Sequence, residues 1–133
     1  MLRDSLFGNF VLALAGVLLL CGCGSKPGTS QGRDVGREHL TDLWDMYQSY
    51  AKAKGRPPAK ATDLRPFAAG APTGDRVLSD PNFVVLYNTP VGGANVLAYH
   101  KDVHAQGGLV LLSDGTIKLM SAADFQTAPK PAN

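Results

Sequence analysis

The chain has 133 residues, with 13 basic and 11 acidic side chains and a formal net charge of +2. The charges are scattered, so no basic stripe of the kind that neutralises phosphates stands out, and nucleic acid is not an expected partner. Both cysteines, Cys21 and Cys23, fall at the end of an apolar leader, which leaves no thiol for an internal disulfide further on.

The leader has the layout of a secretory signal. Met1, Leu2 and Arg3 make a weakly positive start, and residues 6–20 form an apolar run broken only by Gly8, Asn9 and Gly16. A membrane-spanning helix needs about 20 apolar residues, whereas this run has about 15 and passes straight into Gly22, Gly24, Pro27 and Gly28. It is short for a permanent anchor.

The end of the run, Leu20-Cys21-Gly22-Cys23, resembles the lipobox of bacterial lipoproteins. A leucine stands three positions before the cysteine, and the small Gly22 lets a peptidase reach the bond. The resemblance implies that residues 1–22 are a signal peptide and that the Cys23 thiol accepts a diacylglyceryl group. The new amino group then takes a further acyl chain such as palmitate. At about 0.8 kcal/mol per buried CH₂, one chain holds marginally and two or three hold lastingly. By the same resemblance, Gly24 in place of an aspartate favours the outer over the inner membrane, if the host has one. The rest of the chain would then face periplasm or exterior.

Cleavage there leaves about 110 residues, enough for one domain. Residues 23–33, rich in Gly, Ser, Thr, Gln and Pro, read as a lipidated cysteine and a flexible tether. Residues 34–126 read as a single α+β domain, and residues 127–133, with Pro129 and Pro131, as a disordered tail.

Within the domain, Leu40, Leu43, Trp44, Tyr47, Tyr50 and Ala51 recur at helical spacing, with Arg37, Glu38, Asp42, Asp45, Gln48 and Lys52 round the rest of the wheel. Asp34 suits the N-cap, Lys52 and Lys54 suit the last turn, and Gly55 with Pro57-Pro58 ends the helix. The aromatic positions are expected to be core, so that Trp44→Ala costs roughly 3–5 kcal/mol. Thr62-Asp63-Leu64-Arg65-Pro66-Phe67 suits a capped turn that sends Leu64 and Phe67 back to the helix, and residues 68–75 suit a loop.

The second half is β-like. Residues 82–88 and 95–101 are rich in Val, Leu, Phe and Tyr and flank turn chemistry at Pro90-Val91-Gly92-Gly93. Asp114-Gly115 predicts a two-residue type I′ hairpin. That register pairs Leu112 with Ile117 and Val110 with Leu119 on the face that the helix covers. Ser121 and Asp124 suit the start of a short terminal helix. The expected fold is one long amphipathic helix packed on a small antiparallel sheet of about four strands, with a short C-terminal helix.

His104, nine residues and then Asp114-Gly115 match the H-x9-DG pattern of a class of bacterial prepilin-processing-associated proteins. The helix ending in Tyr50, with Arg56-Pro57-Pro58 and Asp63-Leu64 after it, resembles the globular half of type II pseudopilins. The two resemblances together cover most of residues 40–120 and imply a pseudopilin-like fold and an envelope location. The chain departs from pilins at its start. Gly8-Asn9-Phe10 has no glutamate following a prepilin cut, and residues 24–33 sever the apolar run from the helix. The combination is closer to a small family of uncharacterised lipoproteins that pair a lipobox with this domain.

The segment His100-Lys101-Asp102-Val103-His104 carries the remaining chemistry. In an extended strand His100, Asp102 and His104 would share a face and could converge on one metal ion, with Asp114 as a fourth ligand. A strand end beside Gln106-Gly107-Gly108 is more often simply solvated. There is no serine elbow and no phosphate-binding glycine loop, so neither catalysis nor a cofactor is expected. The leading expectation is a membrane-anchored envelope lipoprotein whose domain binds or scaffolds an envelope protein. The alternatives are a pseudopilin-like accessory of a secretion or pilus system and a metal-dependent hydrolase.

Overall fold

The computed structural model describes residues 30–132; the leader, Cys23 and residues 24–29 lie outside the described residues. In chain order the elements are α1 (Ser30–Lys54), α2 (Ala61–Leu64), a 3-10 turn (Arg65–Gly70), α3 (Gly74–Ser79), β1 (Phe83–Val85), β2 (Val96–His100), α4 (Val103–Gln106), β3 (Gly108–Leu112), β4 (Ile117–Met120) and α5 (Ala122–Thr127). The four strands form an antiparallel meander in the order β1-β2-β3-β4. This is the α+β arrangement of one long helix laid on a small antiparallel sheet, with a short helix at the C-terminal end.

The apolar stripe of α1 becomes the main core. Leu40, Leu43, Met46, Tyr47 and Tyr50 are buried against Leu97, Ala98 and Leu111 of the sheet. Met46 belongs to this stripe as fully as the residues the spacing picks out, whereas Trp44 is only partly buried at its margin. The helix already includes Ser30, ahead of Asp34, so Asp34 is not its N-cap and residues 30–33, read as tether, lie within it. It ends at Gly55, whose positive φ of 67° lets its N–H donate to the Ala51 carbonyl at 2.8 Å. Leu64 of α2 is fully buried against α1, and Phe67 meets Tyr50 edge-on at 5.9 Å.

The expected loop over residues 68–75 is largely helical, and α3 follows from it. The Asp42 carboxylate of α1 accepts hydrogen bonds from the Thr73 N–H at 3.0 Å and the Thr73 hydroxyl at 2.6 Å. Gly74 then comes so close to α1 that a Cβ there would lie 2.5 Å from the Met46 sulfur and 3.1 Å from the helix backbone. A helix of only six residues is costly to form alone. Here the carboxylate and the missing side chain let it form against α1.

The β3–β4 hairpin differs from the expected register by one residue. Leu111 pairs with Ile117, Val110 with Lys118 and Leu109 with Leu119. The Gly115 N–H donates to the Leu112 carbonyl at 3.0 Å and the Leu112 N–H to the Thr116 carbonyl at 2.8 Å, enclosing a three-residue loop with Gly115 at φ 88°. That is a turn with a glycine bulge, not a type I′ turn. A slip of one residue exchanges the faces. Ile117 and Leu109 therefore lie against α1, while Val110 and Leu112 point to the other side.

That other side has its own core. Phe125 of α5 and Val103 of α4 are buried with Val96, Tyr99, Val110 and Leu112, so the sheet is a middle layer covered on both faces. A bulge in β2 between Val96 and Ala98 supports this by letting Leu97 and Ala98 both join the α1 side. Ser121 starts α5, its hydroxyl oxygen accepting from the Asp124 N–H at 3.1 Å. The segment after α5, read from its prolines as disordered, is held. The Val96 N–H donates to the Pro129 carbonyl at 2.8 Å, and the Lys130 ammonium donates to the Phe125 carbonyl at 2.8 Å while lying over the Phe125 ring.

One buried polar contact ties α1 to the long β1–β2 connection. The Tyr47 hydroxyl donates to the Thr89 carbonyl at 2.8 Å and accepts from the Thr89 N–H at 3.1 Å, and both residues are fully buried. Burial raises the Tyr47 hydroxyl from its ordinary pKa of 10.0 to about 12, against the lowering effect of the Thr89 hydrogen bonds. Tyr47→Phe strands both Thr89 backbone groups and is predicted to destabilise the fold by about 1–3 kcal/mol in denaturant titration. The unfolded chain ionises first, so the Tyr47 share of stability is intact below pH 10 and is lost as the pH rises through about 12. Burial raises Tyr87 and Tyr99 as well, so some alkaline loss persists in the variant. The melting temperature of Tyr47→Phe should therefore fall less steeply above pH 10 than that of the wild type; equal slopes would place the Tyr47 hydroxyl in solvent.

Candidate functional site

The three side chains weighed as weak metal-ligand candidates do not converge. Strand β2 ends at His100, Lys101 and Asp102 turn the chain, and His104 sits in α4, so the extended spacing that would align them is absent. His100 Nδ1 lies 3.3 Å from an Asp102 carboxylate oxygen and 3.3 Å from the Asp102 N–H, and its ring meets Phe83 edge-on at 5.3 Å on the α1 side. His104 lies on the opposite side, edge-on to Tyr99 at 5.4 Å and to Phe125 at 4.9 Å. Among the described residues no three His, Cys, Asp or Glu side chains gather as a metal would require. A hydrolase built on His100, Asp102 and His104 therefore has no constellation to work with.

The H-x9-DG pattern spans one strand. His104 lies before β3 and Asp114-Gly115 after it, at opposite ends of the sheet. Their roles are local. An Asp114 carboxylate oxygen accepts from the Thr116 N–H at 2.8 Å, which holds the carboxyl below its ordinary range. Gly115 is required twice over, for its positive φ and because a Cβ there would lie 2.6 Å from the Trp44 indole. Trp44 thus seats α1 on the turn.

An opening lies at the other end of the sheet. It is a cleft of about 690 Å³ between the first turns of α1 and the strand ends. Arg33 and Gly36 form the helix wall, Phe83 and Leu109 belong to the sheet, and the His100–Asp102 pair stands on one side. Leu119, expected in the core, borders the cleft with 62% of its surface exposed. It shares the α1 face with Ile117, but α1 covers Ile117 and leaves Leu119 open. Gly36 contributes to the gap, since even an added Cβ would only reach ordinary contact with Leu109, at 3.5 Å. Sequence reading missed Arg33, Gly36 and Phe83; the available signal was a glycine among the helical positions that face the sheet.

Chemically the cleft suits an apolar group with a polar head. Leu40, Phe83, Leu109 and Met120 supply the apolar surface, and Arg33 and Gln106 the exposed polar rim. Ser121, the one hydroxyl at its edge, donates to the Asp124 carboxylate at 2.7 Å as part of the α5 cap. No protein-family model matches the chain, and no curated protein or solved structure matches it either.

Trp44 is partly buried, so its truncation should fall below the range for an enclosed tryptophan. Gly115→Ala is predicted to destabilise by about 1–2 kcal/mol through the left-handed backbone alone. A further loss of about 1–3 kcal/mol is expected where the methyl meets the indole. In a Trp44→Ala background only the first part should remain, giving a double-mutant coupling the size of the second. Strict additivity in denaturant titration would mean that the ring does not rest on the turn.

Proposed function

We propose that this protein is a membrane-anchored envelope lipoprotein whose α+β domain binds another envelope component without catalysing a reaction. The observation that carries the reading is Leu20-Cys21-Gly22-Cys23 at the end of a short apolar run, a short stretch ahead of a folded domain. Lipid on Cys23 places that domain at a membrane surface, with the outer membrane favoured. No helix among the described residues is long and apolar enough to cross a membrane, and a lipid anchor needs none.

A second reading has one observation in its favour. An N-terminal helix on an antiparallel meander, with the Asp114-Gly115 turn, is the arrangement that the pseudopilin resemblance implies. A pseudopilin-like accessory of a secretion or pilus system would be cut by prepilin peptidase ahead of its apolar helix. A lipoprotein is cut by lipoprotein signal peptidase before Cys23.

Mass spectrometry of the mature N-terminus separates the two. Cys23 is expected as the first residue, carrying diacylglyceryl and acyl mass. Cells fed radiolabelled palmitate should label the wild type, and Cys23→Ala should lose the label entirely. A variant that keeps its label, or a mature chain that begins elsewhere, removes this assignment.

A further inference from the structure

We infer that the end of the domain bearing the cleft is the face turned to the bilayer, with Leu119 and the cleft's apolar mouth resting among the phospholipid headgroups. This rests on the lipid-anchor reading of Cys23 and extends it from a location to an orientation. The first argument is reach. The stretch from Cys23 to Ser30, drawn out fully, spans about 25 Å at 3.3–3.6 Å per residue. A domain of this size, with a radius of gyration near 13 Å, is roughly 35 Å across. The chain enters the domain at the first turn of α1, and Arg33 and Gly36 of those same turns wall the cleft. The cleft end is therefore held beside the lipid.

The second argument is the surface itself. Among the described large apolar side chains Leu119 is the most exposed, at 62%, and it stands at the mouth with Leu109 and Phe83 behind it. Exposed apolar surface with a polar rim marks a place of contact. Val91, at the far end of the sheet, is 45% exposed and stands between exposed Pro90 and Gly92. Arg33 can reach a headgroup phosphate from the rim, while Asp102, which also lines the cleft, offsets its charge. Recognition is accordingly by shallow apolar insertion rather than by a basic patch.

The test uses the full lipidated protein in vesicles of phosphatidylethanolamine and phosphatidylglycerol. With Cys21 removed in processing and the Cys23 sulfur alkylated, an introduced cysteine is the sole free thiol. Leu119→Cys and Gln106→Cys report the cleft end and Val91→Cys the far end, each labelled with nitrobenzoxadiazole. The two cleft labels should shift to the blue and lose most of their fluorescence when the acyl chains carry bromine, while the Val91 label keeps aqueous emission. Two cleft labels guard against one variant misfolding. Acyl mass on Cys23 with water-exposed cleft labels overturns the orientation alone; absent acyl mass overturns the anchor with it. Shielding of the Leu119 label that rises with protein concentration without vesicles would mean a second copy covers the mouth, and would also overturn it.

Discussion

The fold depends on how the Tyr47 hydroxyl meets the Thr89 backbone. The connection between β1 and β2 is long, and Thr89 carries a buried peptide group against α1. A buried N–H and C=O without partners would cost several kcal/mol. The single hydroxyl satisfies both, accepting from one and donating to the other. Around it the same connection is fixed elsewhere: the Asn88 N–H donates to the Pro58 carbonyl at 2.8 Å, and the buried Ser113 hydroxyl donates to the Gly92 carbonyl at 2.8 Å. A loop without a core of its own is thereby joined to α1 on one side and to the β3–β4 turn on the other.

That joining also explains the register of the hairpin. Asp114-Gly115 is compatible with a two-residue or a three-residue loop, and local propensity hardly separates them. The difference is tertiary. Ser113 is drawn out of the strand because its N–H donates to the Asn95 carbonyl and its hydroxyl to the Gly92 carbonyl, while Trp44 lies on Gly115. With Ser113 in the loop, Val110 and Leu112 face away from α1 and need cover. Phe125 supplies it, which gives the short C-terminal helix its place. The residues that close the turn thus determine which helix each strand residue meets.

What was legible in the sequence follows the same division. The α1 stripe, its stop at Gly55, the strands around the β1–β2 connection, the Leu64 and Phe67 return and the Ser121 cap each rest on local chemistry within a few residues, and the structure has them. The short helix α3, the faces of Val110 and Leu112 and the docking of Pro129 rest on partners far along the chain. Asp42 meets Thr73, and Val96 meets Pro129, pairs that no local pattern announces. The alternation of His100, Asp102 and His104 was misleading for a related reason. It presumed a strand that continues to His104, whereas the chain leaves the sheet at His100. The cleft was invisible because it is defined by what α1 fails to cover, and only the helix crossing reveals that Ile117 is sheltered while Leu119 is not.

The cohesion of α1 is unevenly placed along its length. Its second half holds Trp44 on the Gly115 turn, Tyr47 on Thr89, Tyr50 on Phe67 and Met46 on Gly74. Among the described side chains, those ahead of Asp42 make fewer such contacts: Leu40 is buried, Gly36 offers no side chain, and Arg37 reaches the Ile117 carbonyl only at 3.5 Å. Local opening free energy follows the density of buried contacts, so the first turns of α1 separate from the sheet more readily than the last. The cleft lies under those turns. Binding there asks little of the fold, because the contacts that keep α1 on the sheet are made at the opposite end.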